Sequence, residues 1–582
     1  MSKLISFLSQ RGHRTPSDRD DGRHERRLAL KEIDDARIGP AHIRAVVVAG
    51  TGFFTDAYDL FSANFIVSMI GLAYYKDGVT PTSVSTAIKL STTSGAIIGQ
   101  VVFGWLADKV GRKRMYGVEL IIILLGTLGQ AIAGYGPGVP IVATVVFWRV
   151  VMGIGVGGDY PLSSIITSEF ATVRWRGALM NSVFAMYVSV RPNTCSHGLL
   201  LFRQGFGNLA AALVSLVGVV ASKHALIGAS SPKHCDATCQ LAADKIWRSI
   251  VAFGALPGVA ALYFRLTIPE TPRYTLDVCL DQEKARADMK AYLKGKHEGD
   301  VDADHIVVSE LRRRSVGQKA APQDFYHHFR QWKYGKILLG TAGSWFFIDI
   351  AFWGLGLNNS TILSAIGYAS SKNVYYNLYN TAVGNLILSL AGNIPGYWVS
   401  VATIDTIGRW PIQMGSFVML TALFCIIGFA YHRLTSGGLL ALYVLCQFFS
   451  NFGANSTTFI SKFLCHVCIV RHSCCVVPGE IFPTRFRSTA HGLSAGAGKV
   501  GAVIAQTLVG PLSNKGGTNK WLNHVMEIFA VFMLCGVGTT LLVPETKRMS
   551  LEYLAKKYHD EPMNESVAEM VDPETEVSTK FE

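Results

Sequence analysis

GWLADKVGRKRMYG, from Gly104 to Gly117, lies between two long apolar segments, and a degraded copy, VATIDTIGRWPIQ, runs from Val401 to Gln413. Both carry Asp-x-x-Gly-Arg: Asp108, Gly111 and Arg112 in the first, Asp405, Gly408 and Arg409 in the second. A charged tight turn that returns in the two halves of a hydrophobic chain implies a duplicated membrane bundle with both turns on one face. Two further repeats support the duplication. SEFATVRWRG carries Glu169, Arg174 and Arg176, and GEIFPTRFRS carries Glu480, Arg485 and Arg487, with the same acid-to-arginine spacing. PETPR at Pro269 is echoed by PETK at Pro544, each closing one half.

Composition agrees with lipid as the solvent. Of 582 residues, 49% are hydrophobic and 16% charged, with a mean hydropathy of +0.29, whereas soluble domains carry about a quarter charged residues. Roughly twenty apolar residues cross a bilayer as helix, and about twelve such stretches are predicted. They fall at 43–71, 89–107, 115–134, 140–165, 177–222 (interrupted), 246–267, 336–357, 376–401, 411–431, 437–460, 488–511 and 524–543. Short alternating segments of the β-barrel kind do not dominate. The expected fold is an all-α polytopic membrane protein, 12 helices in two pseudo-symmetric six-helix halves, which is transporter architecture. Its predicted parts are a tail (1–42), a first half (43–267), a central loop (268–335), a second half (336–543) and a tail (544–582).

The net charge of +13 is unevenly placed. Lys109, Arg112, Lys113 and Arg114 crowd the first turn, and Arg312, Arg313 and Arg314 lie in the central loop. By the positive-inside rule both face the cytoplasm, as do the two tails. The basic charge therefore reads as topology, not as a nucleic-acid surface. The first forty residues are polar, so no cleavable signal peptide is expected. Among eleven cysteines, Cys235 and Cys239 lie in a predicted outer loop and could pair there. CHVCIVRHSCC, Cys465 to Cys475, resembles a zinc cluster only superficially. No metal site and no cofactor are expected, and without a nucleophile–base constellation the chain does not read as an enzyme.

The repeats expose two suspect segments. The two copies of the acid–arginine motif lie further apart than the two copies of the tight turn, and removing 187–203 and 461–476 brings the offsets into near agreement, a comparison that tests only 461–476 because 187–203 lies inside both intervals. YVSVRPNTCSHGLLLFR would place Arg191, Pro192, His197 and Arg203 inside the fifth span, where each buried charge costs about 3 kcal/mol or more. SKFLCHVCIVRHSCCV puts four cysteines, two histidines and an arginine after the tenth. Codons for Met186-Tyr187-Val188 and Ser461-Lys462 can spell splice-donor-like strings. Both segments are expected to be in-frame translated introns of a fungal-type gene, the alternative being a genuine lineage-specific loop.

GVGGDYPLSSIITSE (Gly155 to Glu169), TDAYDLF (Thr55 to Phe61) and the two tight turns closely resemble the fungal high-affinity inorganic phosphate:proton symporters of the major facilitator superfamily. The resemblance implies a plasma-membrane importer whose partners are inorganic phosphate, protons and the lipid bilayer. It also implies substrate contacts at Tyr160, Gln204, Trp345, Asp349, Trp353, Asn455 and Lys499, where indole, hydroxyl and amide hydrogens and one ammonium can replace the water that phosphate loses. The family usually has Tyr where Trp353 stands. Trp345, Asp349 and Trp353 recur every four residues and share a helix face. Proton coupling is assigned to Asp56, Asp59, Asp159, Asp349 and Glu119.

An intramembrane acid is rarely structural filler. Asp349 beside phosphate puts two negative charges in a water-poor cavity, so the carboxyl is expected to hold a proton whenever the anion is bound. Proton and phosphate then enter and leave together. Asp108, Arg112, Glu169, Arg174 and Arg176, mirrored by Asp405, Arg409, Glu480, Arg485 and Arg487, are expected to form a cytoplasmic gate. Arg149 is expected to contact backbone or an acid, and the glycines of the fourth span to serve packing. Asn358 and Asn359, in NNST, form glycosylation motifs near the expected outer end of the seventh span. The alternatives are a sugar or organic-solute porter, and a phosphate-sensing receptor with little flux.

Overall fold

A computed structural model of the chain describes residues 40–134, 136, 138–171, 180, 204–268, 270–277, 284, 322–453, 455, 481–517, 520–544 and 551–559. Both suspect segments, 187–203 and 461–476, lie outside them, as does the cysteine cluster at 465–475.

In the first half the helices are α1 (Pro40–Phe61), α2 (Ala63–Tyr74), α3 (Thr82–Val110), α4 (Arg112–Ala131), α5 (Ile141–Phe170), α6 (Gln204–Ala221) and α7 (Ala237–Leu266). Short α8 (Pro272–Asp277) and α9 (Pro322–Arg330) precede the second half. That half comprises α10 (Trp332–Gly356), α11 (Asn359–Ala365), α12 (Val374–Ile387), α13 (Ile394–Ile407), α14 (Arg409–Ala430), α15 (Ser436–Phe452), α16 (Arg487–Ser513) and α17 (Leu522–Thr540). A last helix, α18 (Leu551–His559), follows. Nine spans among the described residues are long and apolar enough to cross a membrane, with α1–α2 and α12–α13 each counting as one. Shorter α6 and α15 and glycine-rich α16 bring the number to twelve.

Helices overrun the apolar stretches that predict them. The second span is expected at 89–107, but its helix is Thr82–Val110, because a helix continues through polar residues once its backbone is paired within itself. The duplicated turn has a common backbone. Gly111 has φ 117° and ψ 150°, and Gly408 has φ 126° and ψ 156°, a region open to glycine and strained for other residues. Each glycine ends one helix while the following arginine begins the next. On α3 and α5, Gly95, Gly99, Gly153 and Gly157 meet so closely that a Cβ at any of them would strike the opposing backbone.

The outer surface of the bundle carries Leu125, Phe147, Leu256, Phe429, Val531 and Leu534, all exposed. Its interior holds an unusual density of buried polar groups, from Asp56 to Gln506. In water such a distribution would be inverted, and in lipid it puts the polar path between the helices. α3 runs along α16, and α6 along α12, forming the two seams between halves.

Candidate functional site

Trp345, Asp349 and Trp353 occupy one face of α10 and are all buried. Across from them on α16, Lys499 follows Gly498, where a Cβ would press on the Asp349 carboxylate and the Trp345 ring. Lys499 Nζ donates to Asp349 Oδ2 at 2.7 Å. The same ammonium stands 4.7 Å from the Trp353 ring centroid, 5.0 Å from Tyr160 and 5.9 Å from Trp345. Tyr160 comes from α5, so both halves contribute to a cage of one carboxylate and three aromatic faces. Phe53 packs edge-on against Tyr160 at 5.0 Å, and Phe61 stacks on Trp353 at 5.4 Å.

Five of the seven expected substrate residues thus surround one point. Asn455 donates to the Tyr397 hydroxyl at 2.9 Å and to Asn451 Oδ1 at 3.1 Å. Gln204 opens α6, with its side chain outside the described residues. Chemically, the cage holds a cation whose resident counter-ion can be exchanged. An entering oxyanion competes with the Asp349 carboxylate for Lys499, and a proton on the carboxyl ends that competition.

A second cluster centres on Arg265, near the end of α7 and fully buried. Its guanidinium reaches Asp159 Oδ2 at 2.7 Å and Glu119 Oε1 at 2.5 Å, and lies 4.3 Å from the Tyr116 ring centroid. Ser163 donates to the other Asp159 oxygen at 2.5 Å. On α1, Gly52 abuts both the Arg265 guanidinium and the Asp159 carboxylate, one turn before Asp56. Neither Asp56 oxygen has a hydrogen-bond partner among the described residues. Asp59 accepts from the Thr127 hydroxyl at 2.8 Å. Four of the five proton candidates, Asp56, Asp59, Asp159 and Glu119, are thereby placed among α1, α4, α5 and α7, while Asp349 sits in the cage.

At the end of the bundle bearing the tight turns, Asp108 accepts from the Ser488 and Thr489 backbone N–H at 3.2 and 2.7 Å, and from the Thr489 hydroxyl at 2.8 Å. A residue of the first half therefore caps α16 of the second, a carboxylate against a helix N-terminus. Glu169 pairs with Arg487 at 3.0 Å, while Arg112 lies 3.4 Å from both Glu169 and Asp108 and donates to the Thr484 carbonyl at 2.8 Å. Glu270, from PETPR, accepts from the Lys113 N–H at the start of α4. Burial holds that carboxyl above the usual carboxylate range, opposed by the Thr271 and Lys113 N–H groups and Arg112. Arg409 is buried in the second turn, and Arg485 lies over the Phe486 ring. Arg174, Arg176 and Glu480, and the Asp405 side chain, lie outside the described residues.

The opposite end is also joined. Asn64 donates to the Gly356 carbonyl at 2.8 Å, Ser360 to the Asn64 carbonyl at 2.9 Å, and Asn373 to the Ile227 carbonyl at 2.9 Å. The halves are thus joined at both ends of the bundle, with the Lys499 cage between them.

Several expectations need correction or addition. Asn358 and Asn359 are buried in this structure: Asn358 bonds Gly354 and Gln506, and Asn359 bonds Asn385, an arrangement with no room for a glycan on either amide. The Cys235–Cys239 disulfide is formed. Arg149 donates to the Ile88 carbonyl at 3.0 Å, the backbone contact expected. Sequence reasoning missed Arg265 and Lys89. Arg265 stands just before PETPR and reads as a flanking positive charge; Lys89 opens an expected span and reads as interfacial. Treating every charge within a helix-length of an apolar run as intramembrane would have found both.

The family described as Sugar (and other) transporter matches residues 45–189 and 208–558, breaking across most of the 187–203 segment. Over 93% of its length the chain is 51% identical to the inorganic phosphate transporter PHO84 of Saccharomyces cerevisiae, covering 89% of it. It is 50% identical to the repressible high-affinity phosphate permease of Neurospora crassa, covering 92% of this chain and 90% of that one. Inorganic phosphate transporter 1-2 of Oryza sativa subsp. japonica is 36% identical, over 93% of this chain and 98% of the relative. Among solved structures, the major facilitator superfamily proton:xylose symporter XylE bound to 6-bromo-6-deoxy-D-glucose superposes with a TM-score of 0.61. It is 18% identical, over 89% of this chain and 99% of that one, a likeness of fold alone.

Proposed function

The chain belongs to the sugar (and other) transporter family of the major facilitator superfamily, beside the fungal high-affinity phosphate transporters, and from that premise we propose that it imports inorganic phosphate with protons by alternating access. The observation that carries the reading is the Lys499–Asp349 pair, 2.7 Å long and buried between the halves inside a ring of Tyr160, Trp345 and Trp353. One ammonium serves two competing anions. Phosphate arriving at Lys499 displaces the Asp349 carboxylate, and the displaced group takes a proton instead of remaining charged in a dry site. Release toward a neutral cytosol returns that proton, restores the pair and expels the anion.

Asp59, Asp56 and the Asp159–Arg265–Glu119 cluster supply acids along the first half for further protons. Each proton beyond charge balance adds about 2.3 kcal/mol per 100 mV of membrane potential. Gln204 and Asn455 complete the phosphate shell as amide donors. The latch of Asp108, Arg112, Glu169 and Arg487, extended by Arg174, Arg176, Asp405, Arg409, Glu480 and Arg485, closes the cytosolic mouth. The two halves rock about the cage, both tails are cytoplasmic, and the protein resides in the plasma membrane.

Labelled phosphate uptake by yeast lacking its own phosphate transporters tests this. Uptake should be strong at acidic external pH, fall toward neutrality and collapse with a protonophore. Asp349→Asn should retain phosphate exchange yet lose accumulation. Uptake of labelled hexose in place of phosphate would overturn the reading.

A further inference from the structure

Lys89 lies on α3, seven residues inside its first residue, Thr82. It is buried, and its Nζ donates to Asn358 Oδ1 at 2.7 Å. Among the described residues no carboxylate pairs with it. Asn358 in turn donates to Gln506 Oε1 at 3.1 Å and to the Gly354 carbonyl at 2.8 Å, and Gln506 donates to the Trp353 carbonyl at 2.5 Å. Lys89 belongs to the first half, and Asn358 and Gln506 to the second. Gln506 follows Lys499 by seven residues on α16, two turns and roughly 10 Å further from the Asp108 end.

A buried cation is ordinarily matched by an anion from its own chain, as Lys499 and Arg265 are. Here, among the described residues, a neutral amide oxygen answers Lys89. Resting on the transport reading above, we infer that Lys89 is the first anion station of the pathway. It takes a small tetrahedral oxyanion, here inorganic phosphate, from the outer vestibule and hands it inward to Lys499. While the halves are parted at that end, Lys89 is separated from Asn358 and faces water, so its charge is open to phosphate. Asn358 and Gln506 then offer amide hydrogens to the same anion. Once phosphate has moved to Lys499, Lys89 returns to Asn358 and the outer mouth closes. The same residue thus receives the ion and reports its departure.

The test is phosphate uptake kinetics in transporter-deficient yeast, using the full chain and normalising to protein at the cell surface. Losing a hydrogen bond to a charged group should raise the KM of Lys89→Met about tenfold or more. Its maximal rate per surface transporter should stay within about threefold. Lys89→Arg, which keeps the charge, should hold both values near wild type. Asn358→Asp retains the lysine but gives it a resident carboxylate, and should raise KM in the same direction, so a Lys89→Met that fails to reach the surface does not leave the matter undecided. A purely gate-holding lysine would lower the maximal rate and leave KM unmoved. An unmoved KM in Lys89→Met, or in Asn358→Asp where that variant alone reaches the surface, overturns the station while leaving wild-type phosphate transport standing. A wild-type chain that takes up no phosphate overturns both.

Discussion

Consider Arg265→Met. The guanidinium holds Glu119 at 2.5 Å and Asp159 at 2.7 Å, and all three side chains are shielded from solvent. At an effective dielectric near 20, each attraction is worth about 6 kcal/mol, while drying three ions costs several kcal/mol apiece. The intact cluster is close to balance. Methionine fills the space of the stem but leaves two carboxylates in a dry site with no counter-ion. Each can escape by binding a proton, at about 4 kcal/mol at pH 7 from an ordinary carboxyl pKa. That sets a ceiling of about 8 kcal/mol for the pair, and removal of one partner from a buried pair gives a floor of about 3 kcal/mol. Domains are stable by roughly 5–15 kcal/mol in all, so the loss is a large share of the total.

The assay is size-exclusion of heated detergent extracts of a fluorescent fusion, with Glu119→Gln beside it. Glu119→Gln leaves a matched Arg265–Asp159 pair and should cost only about 1–2 kcal/mol. The triple neutral variant, Glu119→Gln with Asp159→Asn and Arg265→Met, should recover most of the loss. Because the Arg265→Met protein must bind protons to fold, its deficit should shrink as pH falls, by up to about 1.4 kcal/mol per pH unit per carboxyl. Wild-type melting in Arg265→Met at neutral pH, or equal damage from Glu119→Gln, refutes the reasoning.

A Cβ at Gly52 would collide with the Arg265 guanidinium and Asp159 carboxylate, whereas one at Gly134 would meet nothing within 4 Å. Gly52→Ala should therefore lower recovery in the same heated extract, and Gly134→Ala should not. Asp108→Ala removes three hydrogen bonds from the start of α16, worth about 1–3 kcal/mol together. It should speed cytosolic labelling of a cysteine placed at Ser494, relative to the same cysteine without the Asp108 change. Glycosidase treatment should leave electrophoretic mobility unchanged, because Asn358 and Asn359 are buried. A mobility shift lost in Asn358→Gln would contradict their placement.

What was legible in the sequence follows from where the physics is local. Gly111 and Gly408 each sit in a tight turn that demands positive φ, and an arginine follows each, so the duplication could be read directly. The Trp345–Asp349–Trp353 face follows from helical period alone. Lys499 could be proposed as a cation, but its distance from Asp349 belongs to the packing of α10 on α16, which no local pattern encodes. Asp108 illustrates the limit differently. Its carboxylate was expected among charged partners, and it pairs with Arg112, but its shortest contacts are to the Thr489 backbone and hydroxyl of the other half. Helix ends carry no sequence label for the acid that will cap them from afar. Arg265 was overlooked for the opposite reason: a basic residue beside PETPR fits the topology rule so well that its burial is invisible.

The two halves are joined at both ends of the bundle, yet by different chemistry. At the Asp108 end the contacts include two buried carboxylates, the guanidinium groups of Arg112 and Arg487, and a helix N-terminus. At the far end they include neutral amides, carbonyls and a hydroxyl, together with the Lys89 ammonium. Charged contacts are the more sensitive to a change of charge in the cavity between them. A ligand moves an equilibrium between open states only by its difference in affinity for them. Phosphate with a proton replaces one anion at Lys499 by another and leaves the cage's net charge unaltered, so the charged latch feels no penalty from a loaded site. Phosphate without the proton adds a negative charge to a buried cage whose Lys499 is already matched by Asp349. On the proposed alternating-access cycle an unprotonated complex is disfavoured in each closed state crossed between sides. Coupling, on this reading, is enforced at occlusion as well as at binding.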